Sequence, residues 1–172
     1  MVAQKKHSHH ARDRDDLTKE HPWCDRGQLI LLIVYIATWI LDSLVFQLTT
    51  FISNFVPAVL QWILTIAFVI LGIYLLKASH DIVFGERRDP PVVIEKGVFK
   101  LVRHPMYLGG IFMYVGLFFG SFSLLCLALL VVVIVFYDMF AGYEEKKLEE
   151  KYGQAYVDYK KRVPRWLPRL KK

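Results

Sequence analysis

Apolar residues fall into four runs separated by polar segments. Residues 29–46, 55–76 and 122–142 are each long enough to cross a hydrocarbon core, which takes about 20 apolar residues in a helix. A shorter run, 105–120, reaches only about 24 Å as a helix. It reads as the first arm of a tight hairpin with the last span, turning at Gly120-Ser121-Phe122-Ser123, or as a tilted or partly re-entrant segment. The pattern predicts an all-α integral membrane protein with about four transmembrane helices.

Charge sharpens this picture. Between residues 27 and 76 the only formal charge is Asp42, and between 105 and 143 it is Asp138. A soluble domain of 172 residues would interleave charge every few positions. A hydrophobic content of 55% excludes disorder, and two cysteines exclude a disulfide-built scaffold. Six of the 22 basic residues precede the first span (Lys5, Lys6, Arg12, Arg14, Lys19, Arg26). Six more lie between the second and third (Lys77, Arg87, Arg88, Lys96, Lys100, Arg103), and ten follow the last. The turns at 47–54 and 120–123 hold none. Basic residues mark the cytoplasmic side, so both termini are predicted there. The net charge of +6 then reads as attraction to anionic headgroups, and no nucleic-acid-binding motif accompanies it. The first 28 residues are polar, and no cleavable signal peptide is expected. Cys24 on the cytoplasmic side and Cys126 near the opposite face are not expected to pair.

The polar segments carry the candidate chemistry. His7, His9 and His10 read as part of a solvated tail, and no metal site is expected. Trp23 suits the membrane interface before the first span. In the connection 77–104, Pro90-Pro91 forbids helix, Val92-Val93-Ile94 is an extended apolar triplet and Glu95-Lys96-Gly97 reads as a turn. A connection this long usually carries function. Arg103-His104-Pro105-Met106-Tyr107 follows, with Pro105 at a helix's first position. The N–H groups and positive dipole end of that helix suit an anionic group. Gly109, Gly110, Gly116 and Gly120 permit close packing of helices or of a ligand. Beyond residue 142, Leu148, Tyr152, Tyr156 and Tyr159 share one helical face. They predict either an amphipathic helix on the membrane or a lid over a cytoplasmic pocket. Asp42 reads as a satisfied interface residue, and Asp138 as a residue of the cavity that Glu144 borders.

Gly97-Val98-Phe99, followed by Arg103-His104-Pro105-Met106-Tyr107, resembles the isoprenylcysteine carboxyl methyltransferase family. That superfamily also includes membrane phospholipid N-methyltransferases. The family's C-terminal block appears as Glu144-Glu145, Tyr152-Gly153, Tyr156, Tyr159 and Arg162-Val163-Pro164. The resemblance covers residues 91–166, and the two blocks flank the predicted hairpin. It implies a membrane methyltransferase that uses S-adenosylmethionine, releases S-adenosylhomocysteine and has no Rossmann domain. The chain indeed lacks G-x-G-x-x-G and β–α alternation.

By the family pattern His104, Pro105, Met106 and Tyr107 form one wall of the cofactor site, partly through backbone groups. Phe99, Val93 and Ile94 match its apolar positions, and Glu144 matches its acidic contact. The organisation implied is a polar cytoplasmic segment 1–28, two transmembrane helices in 29–76 and a methyltransferase core in 77–172. That core is a cytoplasmic cofactor pocket closed by a C-terminal helix. Arg103 is a candidate catalytic group beside the reaction centre. Asp138 is a candidate base if the acceptor is an amine. Where isoprenylcysteine enzymes carry a substrate-contacting Arg, one turn before the matched Glu, this chain has Phe140. The resemblance implies a lipophilic acceptor entering from the bilayer, and the Phe140 departure leaves carboxylate, amine, thiol and phospholipid headgroup open. A small four-span transporter using Asp42 and Asp138, or a non-enzymatic membrane protein, is the alternative. Oligomeric state is left open. So compact a chain suits a prokaryotic cytoplasmic membrane, with the endoplasmic reticulum as the other choice.

Overall fold

The computed structural model describes residues 22–85 and 90–168, with only the backbone of 22–25. The histidine cluster at His7, His9 and His10, the side chain of Cys24, and Arg87 and Arg88 lie outside the described residues. Among those described there are helices and no strands. Helix α1 (Pro22–Ile40) continues into a wider π-helical turn, Leu41–Phe46. Helices α2 (Ala58–Phe84), α3 (Pro105–Phe119), α4 (Leu124–Tyr152) and α5 (Gln154–Arg162) follow. The first, second and fourth are long and apolar enough to cross a membrane, and α3 is a shorter apolar helix. The chain is a multi-pass integral membrane protein.

Close backbone approach joins α2 to α3. A Cβ on Gly109 would sit 2.9 Å from the carbonyl oxygen of Gly72, and one on Gly72 would sit 2.9 Å from that of Gly109. About two turns further along, a Cβ on Gly116 would meet Val69 Cγ2 at 2.8 Å. Small residues let two helices touch along their backbones, where dispersion supplies the attraction that lipid cannot. Gly110 faces α4 instead, against the Tyr137 hydroxyl. Helix α1 closes the bundle through polar tips on aromatic bodies. The fully buried Tyr35 donates to the carbonyl of Tyr114 at 3.0 Å, and Trp39 Nε1 donates to that of Leu117 at 2.9 Å.

Asp42 sits in the π-helical turn, and it is buried and satisfied. It accepts from the backbone N–H of Thr49 at 3.0 Å and from the hydroxyls of Thr49 and Ser123. Ser123 also caps α4 by accepting from Cys126 N at 3.2 Å. One carboxylate thus ties α1, the first turn and α4 together at the end of the bundle away from the charged segments. Asp138 lies about four turns further along α4 than the Ser123 that holds Asp42, so the two acids sit toward opposite ends of the bundle.

Helix α4 has 29 residues and is about 43 Å long, against a hydrocarbon core of about 30 Å. Its last turns, after residue 142, carry the charged residues. The periodicity of Leu148, Tyr152, Tyr156 and Tyr159 predicts one continuous helix, but the chain breaks at Gly153. There φ is +56°, a left-handed conformation that glycine adopts without strain. Helix α5 therefore turns at this point, and Tyr156, Tyr159 and Val163 pack with Val93, Leu148 and Tyr152.

Candidate functional site

The polar end of the bundle holds a cleft enclosing about 870 Å³, open solvent at its mouth included. Five stretches of chain build it. The end of α2 contributes Val83 and Phe84, and the extended loop contributes Val92, Val93, Ile94 and Phe99. The start of α3 contributes Arg103 to Tyr107. Helix α4 supplies Glu144, Leu148 and Tyr152, and α5 supplies Tyr156 and Tyr159. All eight residues implied as cofactor contacts line this one cleft.

Local sequence explains the walls. Pro90-Pro91 keeps the loop extended, so Val93 and Ile94 run along the cleft as a ribbon. Gly97, with φ at +57°, turns the chain where a Cβ would strike Ile82 Cδ1 at 2.5 Å. The short 3₁₀ turn Gly97–Lys100 then presents Phe99. Tyr159 donates to the Phe99 carbonyl at 2.7 Å and seats α5 on that turn. Burial pushes the phenols of Tyr156 and Tyr159 above their ordinary value, so both remain neutral donors well into alkaline conditions. Pro105 opens α3, whose first intrahelical bond runs from Leu108 N to the His104 carbonyl at 3.0 Å.

Glu145 organises the floor, and sequence reasoning missed it. Its carboxylate is buried and accepts from Arg103 Nε at 3.0 Å. It also accepts from Arg165 Nε and Nη2 at 3.0 and 2.9 Å. His104 Nε2 lies 3.2 Å away and Lys160 Nζ 3.5 Å away. Its hydrogen bonds hold the Arg165 guanidinium charged, pushed above its usual range. A signal was present in the chain. Leu130, Val133, Tyr137 and Ala141 form the buried stripe of α4, and one more turn of the same stripe arrives at Glu145.

The two candidate catalytic groups sit differently from the sequence expectation. Arg103 lines the cleft, but its nitrogens are spent on Glu145 and on the carbonyls of Lys160 and Val163, each at 3.0 Å. Its backbone N–H donates to the Pro164 carbonyl at 2.9 Å. Arg103 is a clamp on the C-terminal segment. Asp138 is not among the cleft residues. Its Oδ1 accepts from Arg165 Nη1 and Trp166 Nε1, both at 2.9 Å. The tail residues Arg165 and Trp166, distant in sequence, take up the carboxylate that the reading of α4 alone turns toward the cavity. Phe140 packs its ring on Phe136.

Comparison with known proteins matches this architecture. The sequence profile described as Phospholipid methyltransferase fits residues 55–155, from the start of α2 to the start of α5. The chain belongs to the phospholipid methyltransferase family. Within reach of that family, the mouse Protein-S-isoprenylcysteine O-methyltransferase is 32% identical over 97 residues, covering 54% of this chain and 33% of the relative. Arabidopsis thaliana Protein-S-isoprenylcysteine O-methyltransferase B is 33% identical over 87 residues, covering 48% and 42%. The Protein-S-isoprenylcysteine O-methyltransferase of Schizosaccharomyces pombe is 29% identical over 130 residues, covering 69% and 54%. The aligned part of this chain spans about a third of the mouse relative and about half of the fission-yeast one.

Proposed function

We propose that this chain is a membrane methyltransferase that takes S-adenosylmethionine into the cleft at the start of α3 and methylates a lipophilic acceptor from the bilayer. The observation that carries this reading is convergence. The acidic, apolar and helix-start elements that such a cofactor needs, drawn from 93 to 144 in the chain, line one cleft.

The residues fit the group. Glu144, about one-third exposed on the cleft wall, suits the ammonium of the cofactor's amino-acid end. The start of α3 suits its carboxylate, since backbone N–H groups there precede the helix's own bonds. Val93, Ile94 and Phe99 give a flat apolar wall for the adenine. When bound, S-adenosylmethionine supplies an electrophilic methyl group. The chain's part is to align the acceptor with it and to keep water out. Tyr152, Tyr156 and Tyr159 close the cleft from the α4–α5 side, and Arg103 holds that closure through the C-terminal segment. The names of the relatives favour an isoprenylcysteine-like carboxylate as acceptor, which is already anionic and needs no base. The distribution of Lys and Arg supports both termini on the cytoplasmic side, with the cleft facing the cytoplasm. The division into a polar segment 1–28, two helices in 29–76 and a catalytic core in 77–172 belongs to the same proposal.

Binding of S-adenosylhomocysteine to the detergent-purified protein, by calorimetry, tests it. Binding that weakens by about ten- to a hundredfold in Glu144→Ala supports the reading, as loss of a charged hydrogen bond requires. A folded wild type that does not bind overturns it.

A further inference from the structure

Tyr137 lies outside the cleft, yet it supports one of the cleft's walls. Its ring stacks on that of Tyr107, with centroids 5.3 Å apart. Tyr107 in turn lies parallel to His104, with planes 4° apart. Tyr107 and His104 line the cleft, and Tyr137 is not among the lining residues. The three rings connect the cleft wall at the start of α3 to the core-facing stripe of α4.

The two ends of this run are held differently. Tyr107 stands in the first turn of α3, where the helix's own bonds begin only at Leu108. Backbone N–H groups in a first turn have no partner inside the helix, so packing decides where the Tyr107 ring rests. Tyr137 sits in the interior of the 29-residue α4, with helical turns on both sides. It is buried in the same core cluster as Tyr35, Tyr114 and Val133.

Its hydroxyl is the unexpected part. A phenol at membrane depth is costly unless it has a partner, and a phenylalanine ring would carry no such cost. Tyr137 finds its partner in the phenol of Tyr114, with which it hydrogen-bonds. Tyr114 is held from α1 in turn. The Tyr35 ring meets it edge-on at 4.7 Å, and the Tyr35 hydroxyl donates to its carbonyl at 3.0 Å. A Cβ on Gly110 would sit 3.1 Å from the Tyr137 hydroxyl oxygen, so the α3 backbone closes on the same group. The hydroxyl is pinned by α3, and the ring it pins lies against Tyr107.

We propose that Tyr137 is a positioning residue of the site, which holds the Tyr107 ring, and through it His104, in place on the cleft wall. The inference rests on the proposed cofactor reading and extends it to a residue that touches no ligand. A site keeps its geometry only if packed neighbours lock the side chains that meet the ligand, to within about 0.5 Å. Here the lock is a ring from the interior of one helix placed behind a ring in the first turn of another. The two parts of Tyr137 have separate tasks. The ring supports Tyr107, and the hydroxyl anchors the ring to the bundle.

Calorimetry with S-adenosylhomocysteine, beside thermal unfolding, separates this role from packing alone. Tyr137→Leu removes the ring and should weaken binding about tenfold, the scale of a lost aromatic pair. Tyr137→Phe keeps the ring and should recover binding to within about threefold of wild type, while unfolding at a lower temperature without the Tyr114 bond. Val133→Ala is the packing control. Val133 is buried one turn before Tyr137 on the same stripe of α4, away from the cleft lining. Its truncation should lower the unfolding temperature and leave the affinity unchanged. Should Tyr137→Leu fail to fold, Tyr137→Met fills the space with a flexible chain and is read in the same way. Wild-type affinity in the variant without the ring overturns the proposal. So does binding by Tyr137→Phe as weak as that of Tyr137→Leu, or an equal weakening in Val133→Ala. A folded wild type that does not bind overturns the cofactor reading and this inference with it. A wild type that binds beside an unaffected Tyr137→Leu overturns this inference alone.

Discussion

Glu145 grips Arg165 through two parallel hydrogen bonds, Nε to Oε1 at 3.0 Å and Nη2 to Oε2 at 2.9 Å. The pair joins the last turns of α4 to a tail residue twenty positions later. Because Arg103 shares the same carboxylate, the start of α3, α4 and the tail are held at one point.

Glu145→Ala should be among the most damaging single changes. It leaves two arginines and a lysine facing a buried gap, and breaking such a pair costs about 3–5 kcal/mol. Arg165→Ala should cost less, since Arg103, His104 and Lys160 still face Glu145. Thermal unfolding in detergent should rank Glu145→Ala below Arg165→Ala, and both below wild type.

The α2–α3 contact should reject any side chain at its closest point. Gly72→Ala places a Cβ 2.9 Å from a backbone oxygen that cannot move alone. We expect a loss of about 1–3 kcal/mol, typical of overpacking, and a lower unfolding temperature. Gly153→Ala is the contrasting case. Nothing lies within 4 Å of its Cβ, so its cost is the left-handed φ alone, about 1–2 kcal/mol.

Alkaline pH should loosen the α5 lid. The phenols of Tyr156 and Tyr159 are raised by burial, so the folded state keeps protons that the unfolded chain gives up. Their contribution is fully present below the ordinary tyrosine value, about pH 10, and falls as pH rises beyond it. A Tyr156→Phe, Tyr159→Phe double variant should unfold with a flatter dependence above that value. An identical slope would mean that the two phenols do not carry the effect.

Reporter tags at the two chain ends should give the same sidedness. Four spans with basic flanks would require it. Opposite reports would mean that α3 does not cross.

Much of this was legible along the chain. Long apolar runs with single charges announce membrane helices, because burying charge in lipid is too costly to be scattered. The pattern also placed Val93, Ile94, Phe99, His104–Tyr107 and Glu144 in one site, since family motifs are local strings. The turn at Gly153 was harder to read. Tyrosines on both sides keep the same periodicity, and only the backbone shows the break.

What the sequence by itself determined is the membrane architecture, because apolar runs depend on nearest neighbours and helical period, and the family, whose motifs are local strings that include eight of the residues lining the cleft. Only the tertiary structure decided which charges meet. Arg165 and Trp166 take Asp138 out of the cleft, Arg103 becomes a clamp, and Glu145 stands behind His104. These pairings join residues up to 61 positions apart. Chain order does not encode them. They follow from the packing of the tail against α3 and α4, where any buried charge must find a partner.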